Sequence, residues 1–342
     1  MLSRPLASRT PKGLMVLLGH GRWIVRKMDD TMRDRIRGCA VGAAVGDALG
    51  MPLEFGPRQP ADHLVREMRG ARLPAGSFTD DTEMALALAE SLLAWRPLDP
   101  ADLAARFVAW YQAGPDDIGI HISTVLSRMA AGEEWALVVE AVQQQRPDSA
   151  GNGSVMRCWP VALAHWDNLD ALLVNSRLQS RVTHPHPDCV AGSAFVNAVI
   201  YHLLHGVEPA AAVEQPREEH ARRFAALEAA QPPEALREVI NAAPGRNREE
   251  LVNSGWVRHT LESAVWGLLT TDSFEEAVVQ VVNLGNDADT AGAVVGALAG
   301  AAYGLEGIPE RWREAVRGEG PMRSGRFWRE QDLIALADRL AD

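Results

Sequence analysis

Two short acidic clusters, about two hundred residues apart, stand out in this sequence because each directly precedes a long apolar stretch. The clusters are Thr79-Asp80-Asp81-Thr82 and Asp287-Ala288-Asp289-Thr290. Neither contains the histidine or cysteine that softer transition metals prefer, so their oxygen atoms favour Mg²⁺ or Mn²⁺. If the fold brings both clusters together, four carboxylates meet, and only bound cations would make such crowding tolerable. The pattern therefore predicts a two-metal hydrolase.

A purely structural role explains part of each cluster. Ser77 and Thr79 suit helix N-caps, and an aspartate in the first turn of a helix is favoured by the helix dipole. That alternative accounts well for one carboxylate at a helix start, but less well for two aspartates flanked by threonines. In the second cluster, Asp287 and Asp289 share one side of the chain if the segment is extended. No Gly-x₅-Glu follows, which excludes an EF-hand.

The segments that must position these residues are predicted to be helices. Met84, Leu88, Leu92 and Trp95 follow the i, i+4, i+8, i+11 spacing of one helical face. Alternating β-branched runs bounded by hairpin turns are not found in the sequence. Because both acidic clusters must belong to one site, we expect one compact all-α domain over residues 33–342.

Two ridges of glycine support a close helix packing. Glycine recurs every fourth residue at Gly38, Gly42, Gly46 and Gly50, and again at Gly292, Gly296, Gly300 and Gly304. Each glycine inside a helix costs roughly 1 kcal/mol relative to alanine, so a close approach by another helix is the expected reason. We predict two buried central helices, each with one end beside the acidic site; whether they contact each other is left open.

Composition restricts the partners. The net charge is −11 over 342 residues, which argues against nucleic acid or an anionic membrane as the main partner. A phosphate-bearing small molecule stays open, because bound cations can reverse the local field. The chain has only three cysteines and no CxxC motif, so we expect a cytoplasmic protein without disulfides.

Residues 1–32 are expected to form an N-terminal extension outside the core domain, without fixed structure. The apolar run from Gly13 to Gly19 is too short for a good signal peptide, and no small-residue cleavage site follows it. One interpretation is an upstream start codon, with Met28 or Met32 as the true beginning. A partner-binding arm is the alternative.

The chain resembles the ADP-ribosylglycohydrolases, typified by the dinitrogenase reductase-activating glycohydrolase, over roughly Arg35 to Gly307. The resemblance rests on motifs that occur in the order of the family. They are Gly46 to Phe55 (GDALGMPLEF), Phe78 to Thr82 (FTDDT), Asp117 to Gly119 (DIG), Gly151 to Arg157 (GNGSVMR), Thr183-His184, and Asn283 to Thr290 (NLGNDADT). It implies a single compact orthogonal helical bundle with a binuclear magnesium or manganese centre.

The resemblance also implies residue roles. Two divalent cations would be held by Thr79, Asp80, Asp81, Asp287, Asp289 and Thr290, and Glu54 would be the catalytic residue near the attacking water. Substrate contacts would come from Asp117, Gly151, Asn152, Gly153, Ser154, Met156, Arg157 and His184. From the residues alone, Glu54 is only a loop carboxylate, while glycines at 151 and 153 suit an anion because backbone N–H groups can approach it. Arg157 could instead be structural, paired with a buried acid.

The resemblance implies a metal-dependent hydrolase that releases ADP-ribose from a modified protein side chain, with arginine as the family's usual acceptor. Serine, nucleic-acid and small-molecule adducts remain alternatives. A different class of function is an immunity protein that binds and occludes an ADP-ribosylating toxin through residues 1–30. Deletion of that extension should abolish toxin binding if the chain is an immunity protein. It should leave hydrolysis intact if the chain is a hydrolase.

Overall fold

The computed structural model describes the backbone of residues 14–18 and 22–26, and all of residues 28–216, 233–320 and 325–342. Helices make up most of these ranges, which confirms the predicted all-α class. The strands in the described ranges form two short antiparallel hairpins. Neither hairpin contributes to the packing between helices at the centre.

The helices follow one another through the chain with few long loops. In the first part they are α1 (Asp30–Gly50), α2 (Asp80–Ala94), α3 (Pro100–Gln112), α4 (Ile120–Ala130), α5 (Trp135–Gln145), α6 (Trp159–Ala164), α7 (Leu169–Arg181) and α8 (Pro187–Leu204). A helix from residue 209 is described as far as residue 216 (α9). Then come α10 (Glu234–Ala242), α11 (Val257–Thr270), α12 (Phe274–Val282), α13 (Ala288–Tyr303), α14 (Glu310–Ala315) and α15 (Glu330–Ala341).

Short elements complete the described chain. Turns of 3₁₀ helix occur at Met51–Leu53, Ala243–Gly245 and Arg248–Glu250. Strand β1 (Leu14–Leu18) pairs with β2 (Arg22–Arg26), and β3 (Arg317–Glu319) pairs with β4 (Phe327–Arg329). The β1–β2 hairpin falls within the predicted N-terminal extension, whose other residues up to 27 lie outside the described ranges. The domain boundary at residue 33 stays a prediction; α1 begins at Asp30, where Asp29 accepts a hydrogen bond from the Met32 N–H at 2.8 Å.

The glycine ridges pack directly against each other, which answers the question left open by the sequence. Helices α1 and α13 run antiparallel and form the most extensive helix pair of the described chain. A Cβ atom built on Gly46 would lie 1.9 Å from the Gly292 carbonyl oxygen, and one on Gly42 would lie 2.4 Å from that of Gly296. Because atoms cannot approach so closely, only glycine permits this separation of the two backbones.

Both paired helices are buried at the centre of the molecule. Every residue from Gly38 to Gly50 on α1 and from Ala288 to Ala301 on α13 is buried. Helix α8 is buried from Asp188 to Leu204 and packs against α7 and α13. The helical arrangement therefore consists of a central pair surrounded by amphipathic helices, as expected where the most apolar helices form the core.

No helix in the described ranges combines the length and the apolar character needed to cross a bilayer.

We predict that Gly46→Ala destabilises the protein, although alanine is the better helix former by about 1 kcal/mol. The new methyl group would collide with the backbone of α13, and such overpacking costs about 1–3 kcal/mol or more. Chemical denaturation measures the free energy of unfolding. Gly245→Ala is the matched control, since no atom lies within 4 Å of its Cβ position; equal stability of the two variants would contradict the packing interpretation.

Candidate active site

The antiparallel glycine pair brings Glu54 beside the second acidic cluster. At the end of α1, a Cβ atom on Gly50 would lie 2.3 Å from the carbonyl oxygen of Ala288, so the last residue of α1 touches the first residue of α13. The chain leaves α1 through the turn Met51–Leu53 and reaches Glu54 at once. One carboxylate oxygen each from Glu54, Asp287 and Asp289 lies within 4.8 Å of the others. Helix packing alone therefore produces a three-carboxylate group.

Two reciprocal backbone hydrogen bonds fix the loops that carry these carboxylates. The Phe55 N–H donates to the Asn286 carbonyl at 2.7 Å, and the Asn286 N–H donates to the Gly56 carbonyl at 2.9 Å. Phe55 and Asn286 both have left-handed backbone conformations, with φ of 60° and 53°. Such conformations are costly for residues other than glycine and persist only where the surroundings enforce them. Each strained residue directly adjoins a carboxylate of the site.

Asp47 positions the first acidic cluster, a role that the sequence analysis missed. Its fully buried carboxylate accepts hydrogen bonds from the backbone N–H groups of Thr79 and Thr82, at 3.0 and 3.1 Å. The Thr82 hydroxyl donates to it at 2.6 Å, and the Thr79 hydroxyl lies 2.9 Å away. Asp47 on α1 thus caps α2, whereas the sequence suggested that Ser77 or Thr79 would cap it. The signal in the sequence was a single aspartate inside the otherwise apolar, glycine-rich segment from Gly38 to Gly50.

The two acidic clusters meet at one cavity of about 680 Å³, as predicted. This volume is typical of sites for small molecules. Of the predicted metal-binding residues, all but Thr79 line the cavity; Thr79 lines a neighbouring cavity, to which Asp80 also contributes. The acidic end of the cavity is formed by Glu54, Asp80, Asp81, Asp117, Asp287 and Asp289.

Crowding of buried carboxylates raises their pKa values. Burial, followed by repulsion from Asp289, raises the pKa of Asp47 and that of Asp287 to about 7. The same two causes raise the pKa of Glu54 to about 10. For Asp80 and Asp81, burial is again the main cause of pKa values well above the ordinary range, with neighbouring carboxylates adding to it. The site therefore holds protons strongly when nothing else neutralises it.

The donor set fits hard divalent cations. One oxygen of Asp81 is fully buried and has no hydrogen-bond partner among the described residues, although Asp81 lines the cavity. An unpartnered buried carboxylate oxygen is costly unless a cation or water completes it. The surrounding carboxylate and hydroxyl oxygens are the ligands that Mg²⁺ and Mn²⁺ prefer. Asp80, Asp81, Asp287, Asp289 and Thr290 are the residues that could hold such ions.

Arg72 is the cation that contacts this acidic group, and the sequence analysis did not identify it. It lies on the long loop between Glu54 and Thr79. Its guanidinium contacts the carboxylates of Glu54 and Asp117 and lies 3.2 Å from Asp289 Oδ2. Since the loop sequence around it has no motif, only the folded chain shows this contact.

The glycine segment forms a wall of the same cavity, to which Gly151, Asn152, Gly153 and Met156 contribute as predicted. The Asn152 side chain donates to Asp287 Oδ2 at 2.6 Å and to the Thr260 hydroxyl at 2.8 Å. Asn152 was expected to contact substrate, but it also orients a carboxylate of the predicted metal site. The Gly151–Gly153 segment therefore connects the acidic end of the cavity to the rest of the cavity wall.

His184 lines the cavity, whereas Arg157 and Ser154 do not. Arg157 is fully buried, stacks on Phe107 at 4.3 Å, and donates to the Thr183 hydroxyl at 2.6 Å. It is structural, as the alternative proposed, but its partners are polar groups and a ring rather than an acid. Burial lowers its pKa to about 9. Ser154 is likewise buried, within hydrogen-bond distance of Ser180 and Ser193.

The Arg157 contact orients His184 through Thr183. The Thr183 hydroxyl accepts from Arg157 at 2.6 Å and lies within hydrogen-bond distance of His184 Nδ1, at 2.8 Å. His184 Nε2 lies next to the glycine segment, 3.1 Å from a Cβ atom built on Gly153. Burial lowers the pKa of His184 well below its usual value, which keeps the ring neutral. The result is a neutral imidazole at the cavity wall.

The N-terminus of α4 completes the rim. Asp117 lies just before it, as predicted for the cavity, and the first turn of α4 contributes Ile120, His121 and Ile122. The side chain of Ile120 is exposed at the opening, and the His121 ring stacks on His184 with centroids 4.5 Å apart. The sequence analysis named the Asp117 to Gly119 motif but not the α4 residues that follow it. The cavity therefore has one acidic end and one largely apolar end.

Comparison with known proteins agrees with these features. Residues 28–342 match the family model described as ADP-ribosylglycohydrolase. A relative from Serratia proteamaculans, ADP-ribosylarginine hydrolase Tri1, is 33% identical over 296 residues, covering 83% of this chain and 75% of that protein. The ADP-ribosyl-[dinitrogen reductase] glycohydrolase of Rhodospirillum rubrum is 34% identical over 298 residues, covering 82% and 90%.

A solved structure and a more distant relative extend the comparison. The structure, titled ADP-ribosylglycohydrolase-related protein complex, superposes with a TM-score of 0.71 at 33% identity, covering 92% of this chain and 99% of the other. The human ADP-ribosylhydrolase ARH3 is 26% identical over 344 residues, covering 88% of this chain and 92% of its own length. Both similarities extend over nearly the whole fold rather than a single motif.

We predict that, with chelator present, stability rises as the pH falls from about 8 to about 6, because Asp47 and Asp287 have pKa values of about 7 when folded. The unfolded chain, with carboxyl pKa values near 4, binds fewer protons in this window, so protonation favours the folded state. Thermal unfolding at the two pH values measures the effect. Asp287→Asn should reduce the increase in stability between pH 8 and pH 6. A lower unfolding midpoint at the acidic pH in the wild-type protein would contradict the prediction.

Proposed function

Because this chain belongs to the ADP-ribosylglycohydrolase family and is a hydrolase of that family, we propose that it cleaves the glycosidic bond between ADP-ribose and an arginine side chain of a modified protein. The products would be ADP-ribose and the restored arginine. Arginine is favoured as the acceptor because two relatives at 33–34% identity are named ADP-ribosylarginine hydrolases.

The observation that carries the proposal is the shape and charge of the cavity. Six carboxylate residues from four separate parts of the chain meet at one end of the cavity. The Gly151–Gly153 segment and the start of α4 form the other end. ADP-ribose has the same two-part character, with a reactive ribose at one end and an adenine at the other. We propose that the distal ribose lies at the acidic end and the adenine at the apolar end.

We propose that two divalent cations, Mg²⁺ or Mn²⁺, bind at the acidic end. Asp80, Asp81, Asp287, Asp289 and Thr290 would hold them, with Thr79 supporting Asp81 from behind through a hydroxyl 2.9 Å from its carboxylate. When bound, such ions neutralise the carboxylates, bind sugar hydroxyls and acidify a water molecule. Asn152 and Asp47 would fix these ligands by their hydrogen bonds to Asp287 and to the start of α2.

Glu54 is proposed as the general acid–base residue. It lines the cavity, and its side chain is about 10% exposed, which leaves one edge accessible to a reacting molecule. Burial and repulsion from Asp289 raise its pKa, which suits a group that must both take up and give a proton. In the reaction, its carboxyl would transfer a proton between the water and the departing guanidinium, while nearby carboxylates stabilise the oxocarbenium-like state of the sugar.

The diphosphate is proposed to lie between the two ends. The neutral imidazole of His184 stands next to Gly151 and Gly153, where the lack of side chains keeps the backbone accessible. At Gly153, a Cβ atom would lie 2.8 Å from Ile122 and 2.9 Å from His184, so only glycine fits. The first turn of α4 adds free backbone N–H groups of the kind that bind anions.

The proposed partner is an ADP-ribosylated protein in a reducing compartment. Cys39, Cys158 and Cys189 are all buried and unpaired, which supports the cytoplasmic assignment. The net charge of −11 gives no reason to expect nucleic acid as a partner. The alternative of a toxin-occluding immunity protein depends on residues 1–30, most of which lie outside the described ranges, and it stays a prediction.

We predict that Glu54→Gln lowers kcat by about 10²–10⁴-fold, the usual contribution of general acid–base catalysis. Cation affinity should change little in this variant, since the amide keeps its shape. Asp289→Asn should instead weaken both cation binding and activity, because it removes a ligand. Steady-state kinetics and calorimetric titration with Mn²⁺ separate the two. Near-normal kcat in Glu54→Gln would remove Glu54 from the mechanism, and unchanged Mn²⁺ binding in Asp289→Asn would disprove the ligand assignment.

The acceptor is tested with proteins that carry ADP-ribose on arginine, serine or aspartate. We expect release of free ADP-ribose from the arginine-linked substrate, loss of that release when a chelator is added, and recovery with excess Mg²⁺ or Mn²⁺. Chromatographic detection of ADP-ribose is the readout. Efficient release from the serine-linked protein alone would refute arginine as acceptor, while release that persists with chelator would refute the cation requirement.

A further inference from the structure

Arg72 is held mainly by carboxylates that line the candidate active site. Its guanidinium contacts the carboxylates of Glu54 and Asp117, lies 3.2 Å from Asp289 Oδ2, and lies 3.3 Å from the carbonyl oxygen of Met51. The three acidic partners all line the cavity, and the Arg72 side chain is about 30% exposed. Contacts between a guanidinium and several carboxylates are among the stronger polar interactions in proteins. Arg72 thus neutralises part of the acidic end.

The guanidinium occupies an oxygen that a divalent cation at Asp289 would need. The Oδ1 atom of Asp289 accepts the backbone N–H of Thr290 at 2.9 Å, and Oδ2 lies 3.2 Å from the Arg72 guanidinium. Arg72 lies on that Oδ2, and it also contacts an oxygen of Glu54. The guanidinium and a metal ion cannot both bind Asp289 Oδ2, because like charges a few ångströms apart repel strongly in a partly buried site.

We propose that Arg72 is an internal counter-cation that occupies the carboxylates in the metal-free enzyme and is displaced when divalent cations bind. This inference rests on the proposed cation-dependent function. Displacement releases Asp289 to act as a ligand, and it releases Glu54 and Asp117 toward the substrate. Binding of the cations and release of the acid–base residue are then one event, so the enzyme without cations holds Glu54 in an inactive contact.

Arg66 lies on the same loop as Arg72 but forms an ordinary ion pair at the surface. It pairs with Glu276 at 2.6 Å and with Glu275 at 3.7 Å. None of these three residues lines the cavity, and the pairs are 30–42% exposed. Removal of Arg66 should therefore alter only a surface ion pair, which contributes little. It serves as the matched control for Arg72.

The first measurement is calorimetric titration of the full chain with Mn²⁺, in the absence of substrate. We expect Arg72→Ala to bind Mn²⁺ about tenfold or more tightly than the wild-type protein, which is within the 5–150-fold range typical of coupled sites. Arg66→Ala should bind Mn²⁺ as the wild-type protein does. In chelator, Arg72→Ala should also unfold at a lower temperature, because its carboxylates have lost their cation, and Mn²⁺ should restore the midpoint.

Chemical rescue distinguishes competition from a general structural effect. Addition of ethylguanidinium at non-denaturing concentration should weaken Mn²⁺ binding by Arg72→Ala, because it can enter the vacated position. The same concentration of sodium chloride, at equal ionic strength, should not do so, and neither salt should affect the wild-type protein selectively. An Mn²⁺ affinity in Arg72→Ala that equals or falls below the wild-type value would overturn the proposal, and so would equal effects of the two salts.

Further outcomes separate this inference from the proposed function. If Arg72→Ala fails to fold, Arg72→Gln takes its place with the same expectations for Mn²⁺ binding. If the wild-type protein binds Mn²⁺ and the folded Arg72 variant binds it equally, only the role of Arg72 is wrong. If neither binds Mn²⁺, the cation site itself is wrong, and the counter-cation role falls with it. Binding by the variant alone supports Arg72 as the competitor.

Discussion

The structure depends on the close contact between α1 and α13. Glycine at every fourth residue lets the two backbones approach until a methyl group no longer fits between them, as at Gly46 and Gly292. Because the helices are antiparallel, the end of α1 meets the start of α13, and Glu54 is thereby placed beside Asp287 and Asp289. The same glycines that make a poor helix in isolation make a rigid base for the carboxylate group of the site.

Burial of so much negative charge is the electrostatic consequence of that contact. Burial and mutual repulsion raise the pKa values of the clustered carboxylates, and the raised pKa of Glu54 is one result. A protein can relieve such repulsion with protons, with an internal cation or with bound metal ions. This chain offers all three: carboxyls that take up protons near neutral pH, the Arg72 guanidinium, and a donor set suited to Mg²⁺ or Mn²⁺. The proposed displacement of Arg72 by divalent cations is an exchange between two of them.

Hydrogen bonds from distant segments hold residues of the proposed site in place. Asp47 holds the start of α2, Asn152 holds Asp287, and Arg157 orients His184 through Thr183. None of these three holds its position by local sequence alone, since each partner comes from a distant part of the chain. Such support is what keeps functional side chains within a narrow geometry.

The sequence by itself determined the helical class, the two glycine ridges and the acidic residues at the cavity, because periodicity and residue type are local properties of the chain. The family motifs supplied the roles proposed for them. Tertiary structure alone decided that the ridges contact each other, that Arg157 and Ser154 are buried away from the cavity, that Thr79 lines a neighbouring cavity, and that Arg72 contacts carboxylates of the site. These outcomes depend on which distant segments meet, and no spacing along the chain encodes the position of a loop arginine relative to a carboxylate more than two hundred residues away.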